Sequence, residues 1–523
     1  MIPSVPRPLL PSLLPSLLLT LLGKAGMVGG VTAQELPAES SATPALEAGI
    51  PQVQVMEHTL VNGMRLLIVP RPAVPTVSFV VEYRVGGVDE APGKTGIAHF
   101  LEHMLFKGTT SVGTRDAEEE ASWFAAMDLL HDSARVERLG SDPDTARLRR
   151  WEEGIRALED SARTHAVPGE FDRILSRNGA RGLNATTSAD ATTYFVELPA
   201  NRAKLWFVLE GDRMRNPVLR EFHTERNVIL EERRFRVDAS PGGLLYETHL
   251  AAAFPAHPYG QPVIGHELDI LALSREDIAD FLARYYAPSN AVVAVVGAVD
   301  PDSILTWARD HLAPVPAGEP PPPVLARDPE PRGERRVTVV HDSEPLLRMG
   351  WPTVSGDHPH LPALSVASSL LAGGRTSRLY RRLVVEERLA TYVAVSLGPG
   401  FRYPTLFAVD AAPRAPHTTA ELEAAILEEL ERLRTVPPEQ EELDRLRIQL
   451  EAGQIRRLQS NLGLAFQLAS SASTYGDWRQ TFRFSEQMRR VTPEEVQEVV
   501  ERYLTPRRMT VGVVERASAG GDR

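Results

Sequence analysis

Apolar and polar residues alternate along most of this chain in patterns that predict short strands and amphipathic helices. β-branched and aromatic runs predict strands, and apolar residues spaced three and four apart predict helices. A chain of 523 residues with this pattern is too long for one ordinary core, so two or more domains are expected. The predicted strands are 57–69, 76–85, 192–198, 290–298, 336–340, 389–396 and 405–411, and the predicted helices are 202–214, 219–236, 274–286, 362–371, 419–435 and 438–460.

The same helix–strand unit ends each half of the chain. Residues 273–296 (LSREDIADFLARYYAPSNAVVAVV) match residues 491–514 (VTPEEVQEVVERYLTPRRMTVGVV) without a gap. A repeat of this length predicts a duplicated domain. The matched positions include the cap residues Ser274 and Thr492, then Arg284 and Arg502, Tyr285 and Tyr503, and Pro288 and Pro506.

The first 33 residues have the plan of a secretory signal peptide. Residues 1–33 carry two basic side chains and no acid, with an apolar run at 9–22 and a small-x-small sequence at 31–33 that predicts cleavage before Gln34. We therefore expect an exported protein, periplasmic or secreted, with no membrane span after cleavage. The absence of cysteine fits this location and excludes disulfides, thiolate catalysis and zinc–sulfur sites.

Composition divides the rest of the chain into two large units. Residues 34–52 are rich in Ala, Glu, Ser and Pro and predict a loose leader. A run of four prolines at 320–323 marks a linker at 313–335. These features predict a first domain at 53–312, a second domain at 336–515 and a tail at 516–523.

Residues 115–173 are more highly charged than the sequence around them. Acids and arginines alternate there at helical spacing, which predicts helices at 115–138 and 144–163. We interpret this segment as a solvated helical hairpin inserted into the first domain. The whole chain has a net charge of −12 and no basic run, which argues against binding to nucleic acid.

The stretch at 96–109, GIAHFLEHMLFKGT, carries the clearest candidate chemistry. His99 and His103 are four apart, so on a helix they lie on one face and can bind one cation. Glu102 stands beside the second histidine, where it can reach a water on that cation. The pattern H-x-x-E-H is the reverse of the commoner H-E-x-x-H and predicts a catalytic zinc site. The corresponding helix of the second half, at 362–371, has no such motif.

A zinc site of this kind needs a third protein ligand, which the predicted helix at 219–236 can supply. Glu225 and Glu232 are seven apart and share one helical face, with Val228 and Ile229 between them. Spacing alone leaves open which of the two acids is the ligand.

Five motifs together make the sequence resemble the pitrilysin/insulinase-type zinc proteases, the inverzincins, over about residues 53–515. This group includes the mitochondrial processing peptidase and bacterial exported zinc peptidases. The resemblance implies an α+β fold with two homologous domains, each a mostly antiparallel sheet packed with helices, facing each other as one half of a clamshell. It also implies a zinc-dependent endopeptidase with one Zn²⁺ per chain, acting on extended peptides or small unfolded polypeptides. The motifs are GIAHFLEHMLFKGT at 96–109, NATTSADATTY at 184–194, ERNVILEE at 225–232, HPYG at 257–260 and GGRTSRLY at 373–380.

The resemblance implies a role for each residue of the site. It implies that the later glutamate of E-x6-E binds zinc, with the earlier one orienting a ligand. It also implies that residues of an edge strand pair with the extended substrate. By position these roles fall on His99, His103 and Glu232 as ligands, Glu102 as general base, Glu225 as the supporting acid, and Asn184, Ala185 and Thr186 as the substrate-binding strand.

The second half departs from the family pattern. Active members often carry an Arg and a Tyr after S-R-L-Y to hold the substrate backbone, whereas Val384 and Thr391 stand at those places here and Tyr392 is one step away. This departure implies the zinc-bearing subunit of a two-subunit enzyme, whose homologous partner supplies the Arg/Tyr pair, or else a homodimer. The alternative is a catalytically inactive scaffold or binding subunit of the same fold.

Overall fold

The computed structural model describes residues 53–138 and 140–516. The predicted signal peptide at 1–33, the leader at 34–52 and all but the first residue of the tail lie outside these residues. The described part of the chain forms two mixed sheets with helices packed against them, so the predicted two-domain α+β fold is confirmed. No helix within it is long and apolar enough to span a bilayer.

In the first half, the strands form a sheet in the order β1-β2-β6-β3-β5-β4. Its pairs are antiparallel except for β2 with β6, two strands that are far apart in the chain and are not joined by a hairpin. Its elements are β1 (Met56–Thr59), β2 (Arg65–Pro70), β3 (Thr76–Tyr83), α1 (Ile97–Met104), α2 (Ala117–Arg138), α3 (Thr145–Arg163), α4 (Glu170–Arg177), β4 (Arg181–Thr187), β5 (Thr192–Pro199), α5 (Ala203–Arg215), α6 (Phe222–Arg233), α7 (Pro241–Ala253), α8 (Glu267–Ala272), α9 (Arg275–Tyr285), β6 (Ala291–Gly297) and α10 (Pro301–His311).

In the second half, the strands form a sheet in the order β7-β11-β8-β10-β9. This sheet also has one parallel pair, which β7 forms with β11, the last strand of the second half. Its elements are β7 (Arg335–Val340), β8 (Leu346–Pro352), α11 (Leu361–Ala372), β9 (Ala390–Gly398), β10 (Leu406–Pro413), α12 (Thr419–Thr435), α13 (Gln440–Gln459), α14 (Asn461–Tyr475), α15 (Gln480–Arg490), α16 (Pro493–Tyr503) and β11 (Thr510–Glu515).

The repeated sequence unit takes the same structure in both halves. It forms α9 and β6 in the first half and α16 and β11 in the second. Both helices begin with a capping box, in which the N-cap side chain and an acid three residues later satisfy free backbone N–H groups. The cap residues are Ser274 and Thr492. Between the halves, residues 312–334 carry no helix or strand.

One helix of each half packs on the sheet of the other half. From the first half, α7 packs on β7, β8 and β11 of the second sheet. From the second half, α14 packs on β3 and β6 of the first sheet, where apolar residues of both halves form a shared core. The two sheets are therefore held together by buried apolar contacts as well as by the linking chain.

The helices of the charged segment, α2 and α3, form an antiparallel hairpin with a small core of its own around Met127 and Ile155. Most of the remaining surface of the hairpin is charged. Its inner side lies against the start of α6 and against α9 through ion pairs, hydrogen bonds and a few ring contacts.

Candidate active site

The helix that carries the H-x-x-E-H motif is short, and its start is fixed by residues outside it. α1 begins after Gly96, whose φ of +85° lies in the left-handed region that favours glycine. The buried carboxylate of Glu90 accepts hydrogen bonds from the backbone N–H groups of Gly96 (2.8 Å) and Ala98 (2.9 Å). An acid in this position satisfies N–H groups that the helix itself leaves free.

α1 packs its apolar face into the core and leaves both histidines on the other face. Phe100 is fully buried and stacks on Phe222 at the start of α6, with ring centroids 4.8 Å apart. The rings of His99 and His103 meet edge to face, with centroids 4.7 Å apart and planes inclined at 77°. The stacked rings set the distance between the two helices from which the candidate ligands project.

α6 brings Glu232 to the two imidazoles. Its Oε2 lies 3.8 Å from Nε2 of His99 and 3.5 Å from Nε2 of His103. Ile229, one turn earlier, is fully buried and anchors the helix, whereas Val228 is half exposed and does not share that buried face as the sequence suggested. The other carboxylate oxygen of Glu232 forms an ion pair with the guanidinium of Arg236 at 2.7 Å.

His99, His103 and Glu232 could together hold a metal ion. Their ligand atoms all lie within 4.8 Å of one another, and among the described residues no other His, Asp and Glu side chains form such a group. Bonds of about 2.1 Å in a tetrahedron place ligand atoms about 3.4 Å apart, close to the two distances from Glu232. Two imidazole nitrogens and one carboxylate oxygen are also a donor set that zinc accepts.

The candidate base, Glu102, is buried on the same helix. Its Oε2 accepts a hydrogen bond of 2.5 Å from the Thr187 hydroxyl at the end of β4. Burial raises the pKa of Glu102, and the hydrogen bond from Thr187 opposes that rise. The side chain is thus held in one orientation while it keeps the ability to take up a proton.

Glu225 supports one of the histidines rather than joining the three-residue group. Its Oε1 lies 3.2 Å from Nδ1 of His103, the nitrogen that faces away from Glu232. Its other oxygen contacts the ammonium group of Lys107, which also pairs with Glu221 at 3.2 Å. Nδ1 of His99, in contrast, is buried and has no hydrogen-bond partner among the described residues.

The two imidazoles differ in their electrostatic surroundings. Burial, followed by the neighbouring His103, lowers the pKa of His99 to about 4. Burial acts in the same direction on His103, but its hydrogen bonds with Glu225 and Glu232 outweigh it and raise its pKa to about 9. Hydrogen bonding to His103 also lowers the pKa of Glu232, which therefore carries a negative charge.

The structure places Asn184, Ala185 and Thr186 in β4, at the edge of the first sheet. One side of β4 pairs with β5, and the other side has no neighbouring strand within the described residues. The strand ends at Thr187, the residue that contacts Glu102. The free edge and the candidate base are therefore next to each other.

Neither residue at the family's Arg/Tyr places can supply a cation or a phenol. Val384 packs against the core of the second half, and the Thr391 hydroxyl donates to the carbonyl oxygen of Ala412. Tyr392 is half exposed on β9 and lines a cleft together with the ion pair of Arg348 and Asp410.

Four residues that act on the site were not singled out from the sequence. Three of them had a signal. Lys107 and Thr187 lie in the motif stretches at 96–109 and 184–194, and Arg236 is four residues from Glu232, the spacing of a helical ion pair. Glu90 stands six residues before Gly96, and no pattern in the sequence marked it as a cap of α1. The four residues are Glu90, Lys107, Thr187 and Arg236.

Comparison with known proteins places these features in one family. Residues 65–127 match the family model described as insulinase (peptidase family M16), and residues 272–450 match the model described as the peptidase M16 inactive domain. The zinc protease PqqE of Helicobacter pylori is 30% identical over 416 residues, which cover 78% of this chain and 81% of that protein.

Two further similarities extend the comparison. A probable β subunit of the mitochondrial-processing peptidase of Arabidopsis thaliana is 22% identical, over 87% of this chain and 77% of its own length. The crystal structure of a protease from Helicobacter pylori aligns with a TM-score of 0.75 and 26% identity, covering 88% of this chain and all of that one. The fold, the motif-bearing helix and these similarities agree, and the chain belongs to the insulinase family of peptidases, family M16.

Proposed function

We propose that the protein is a zinc-dependent endopeptidase that cleaves extended peptides or small unfolded polypeptides. The observation that carries the proposal is the convergence of His99, His103 and Glu232 on one point, with Glu102 beside them on the same helix. In this proposal the first three residues hold one Zn²⁺ per chain. The relatives' names as zinc proteases support it.

Each side chain has a defined task in peptide hydrolysis. A bound zinc ion would polarise the scissile carbonyl and lower the pKa of the attacking water. Glu102 takes the proton from that water and passes it to the leaving amine nitrogen. The Thr187 hydroxyl holds Glu102 in position, and Glu225 fixes the ring of His103 through Nδ1.

The free edge of β4 is the proposed binding surface for substrate. A peptide in extended conformation can add to this edge as a further strand, with its backbone paired to residues Asn184–Thr186. Main-chain pairing depends little on side-chain identity. This arrangement therefore favours unfolded segments as substrates and disfavours folded ones, whose backbones are already paired.

We further propose that the active form contains a second chain. Val384 and Thr391 give this chain no cation or phenol at the positions implied for holding substrate, and one relative is named as a β subunit of a processing peptidase. The partner is a homologous subunit that supplies an Arg/Tyr pair, or a second copy of this chain. The signal peptide predicted at 1–33 supports a periplasmic or secreted location.

A non-catalytic scaffold is the competing function. It is favoured by the match of residues 272–450 to a model described as an inactive domain. That match falls mainly on the second half, which lacks the motif. The first half keeps His99, Glu102, His103 and Glu232 in one arrangement, which a scaffold does not require.

Substitution of Glu102 separates the two functions. Glu102→Gln should keep one zinc ion per chain, because the three ligands remain, and should abolish cleavage of a quenched peptide, because no base remains. The measurements are metal analysis and peptide cleavage, each with and without any subunit that co-purifies. Glu231→Gln, on the exposed side of α6, is the matched control and should behave as wild type. Wild-type protein without zinc, or turnover by the Glu102→Gln variant, would refute the proposal.

A further inference from the structure

The charged hairpin of α2 and α3 has no counterpart in the second half of the molecule. There, the chain passes from α11 to β9 through one short helical segment, Tyr380–Glu386. In the first half the hairpin occupies this connection and lies beside the N-terminal turn of α6. Its contacts with that turn include hydrogen bonds and an ion pair, and the ring of His131 in α2 also packs against Phe222 and His223.

The first of these contacts is a cap that α6 lacks in its own sequence. The N-cap residue, Glu221, has a φ of +56° and makes no side-chain capping hydrogen bond. Instead, the carboxylate of Glu159 in α3 accepts from the backbone N–H of Thr224 (3.1 Å) and from its hydroxyl (2.9 Å). Glu159 thus satisfies a free N–H group in the first turn of α6 and places a negative charge at its positive end.

The second contact is a buried ion pair just before α6. The guanidinium of Arg220 donates to both carboxylate oxygens of Glu120 in α2, and both side chains are almost fully buried. Arg220 also donates to the carbonyl oxygens of Lys107, Thr109 and Val112, in the loop that follows α1. The hairpin is therefore tied to both helices that carry the candidate zinc ligands.

From these contacts we propose that the hairpin is a brace for the zinc site, and that Glu159 and Glu120 are its positioning residues. The inference rests on the proposed function. α6 is a continuous helix from its capped turn to Glu232, so a shift or tilt of that turn moves Glu232. The loop held by Arg220 fixes the end of α1, close to His103. The brace sets the distance between the third ligand and the two histidines.

Loss of the cap should weaken zinc binding more than it weakens the fold. Glu159 is part-exposed, and the buried guanidinium groups of Arg226 and Arg275 near it keep Glu152 and Asp128 as neighbouring acids, so Glu159→Ala should fold with a somewhat lower melting temperature. We expect its zinc affinity to fall about tenfold or more, the range seen when groups that orient a ligand are removed. With zinc in excess, kcat should fall while KM stays near the wild-type value, because the edge of β4 is untouched. Glu159→Gln keeps an oxygen that can accept from the Thr224 N–H, and should recover part of the loss.

The experiment measures zinc affinity by competition with a chromogenic chelator, and kcat and KM on a quenched peptide, for wild type and both variants. Glu153→Ala, on the exposed outer side of the same helix, is the matched control and should leave all three quantities unchanged. Equal zinc affinity and kcat in Glu159→Ala and wild type would overturn the brace. A lower melting temperature without a change in zinc affinity would also overturn it. Failure of the wild type to bind zinc would instead refute the proposed function, so the two outcomes are distinguishable.

Discussion

At the scale of single residues, the site depends on groups that orient the reacting side chains without touching substrate. The carboxylate of Glu102 is buried, and a hydrogen bond is needed to hold it in one orientation. The Thr187 hydroxyl, 2.5 Å from its Oε2, comes from the end of the proposed substrate strand. In the proposed mechanism the same strand therefore positions both the peptide and the general base.

Thr187→Val, which replaces the hydroxyl with a methyl group of similar size, tests this coupling. Without the hydrogen bond the carboxylate loses its fixed orientation, so kcat should fall about tenfold or more while KM changes little. Steady-state peptide cleavage measures both. Thr187→Ser keeps the hydroxyl and should retain most of the activity; a Ser variant as slow as the Val variant would contradict the assigned role.

The sequence alone identified those site residues that lie close to one another along the chain. His99, Glu102 and His103 lie within one turn of one helix, so their spacing predicted their common face. Spacing could not choose between Glu225 and Glu232, because both lie on the same face of α6. The structure distinguishes them, since only Glu232 reaches both Nε2 atoms. Thr187 lies in a motif stretch, but its contact with Glu102, like the contacts of Glu159, is made across the fold, and no local pattern marks such contacts.

At the scale of elements, the position of α1 depends on how its chain enters the helix. Gly96 combines a positive φ with a close approach to another segment: a Cβ added there would lie 2.6 Å from the carbonyl oxygen of Ile264. Gly93, three residues earlier, also has a positive φ, +79°, but a Cβ there would meet nothing within 4 Å. Both positions therefore carry the cost of a positive φ for a non-glycine residue, but only Gly96 also carries a steric clash with the neighbouring backbone.

Gly96→Ala should therefore destabilise the protein more than Gly93→Ala. Both variants carry the cost of a non-glycine residue in the left-handed region, about 1–2 kcal/mol. Only Gly96→Ala must also displace the backbone near Ile264, which moves the start of α1 and with it His99. Urea unfolding measures the stability and chelator competition measures the zinc affinity. Equal losses in the two variants would show that the close approach does not matter.

Many elements could be predicted from periodicity, whereas others, among them β8, α7, α10, α14 and α15, could not, and for α14 the cause is physical. The predicted helix at 438–460 corresponds to α13 and the predicted strand at 405–411 to β10, with ends that differ by a few residues. No element was predicted for the residues of α14. That helix is rich in Ala and Ser and is enclosed between the first sheet and its own half, so it lacks the one-sided pattern that marks a surface helix.

At the scale of the whole molecule, the exchange of α7 and α14 joins the two halves. On the second sheet the contact is close because Gly350 and Gly512 leave room for a histidine of α7. A Cβ on Gly350 would lie 2.5 Å from Cε1 of His249. His249 is fully buried, and its Nε2–H donates to the carbonyl oxygen of Thr510 at 3.0 Å. Sequence periodicity could not predict this exchange, because it depends on the relative placement of the halves.

His249 should make the stability of the joined halves depend on pH. Burial, followed by the nearby Arg348, lowers its pKa to about 3, whereas an unfolded histidine titrates near 6.5. Below pH 6.5 the unfolded chain takes up a proton that the folded chain does not. Stability is therefore complete above pH 6.5 and decreases as pH falls towards 3. Between pH 7.5 and 5.0 this one residue should cost about 2 kcal/mol.

His249→Gln tests the prediction, since a glutamine amide can donate to Thr510 but does not titrate. Other groups also change stability over this range, so the quantity to compare is the change between pH 7.5 and pH 5.0 in each protein, measured by urea unfolding of the metal-free forms. The wild type should lose about 2 kcal/mol more than the variant over that interval. A lower stability of the variant at pH 7.5 would reflect packing and does not affect the comparison. If both proteins lose the same amount, His249 is not neutral in the folded state, and the contact between α7 and the second sheet does not carry the pH dependence.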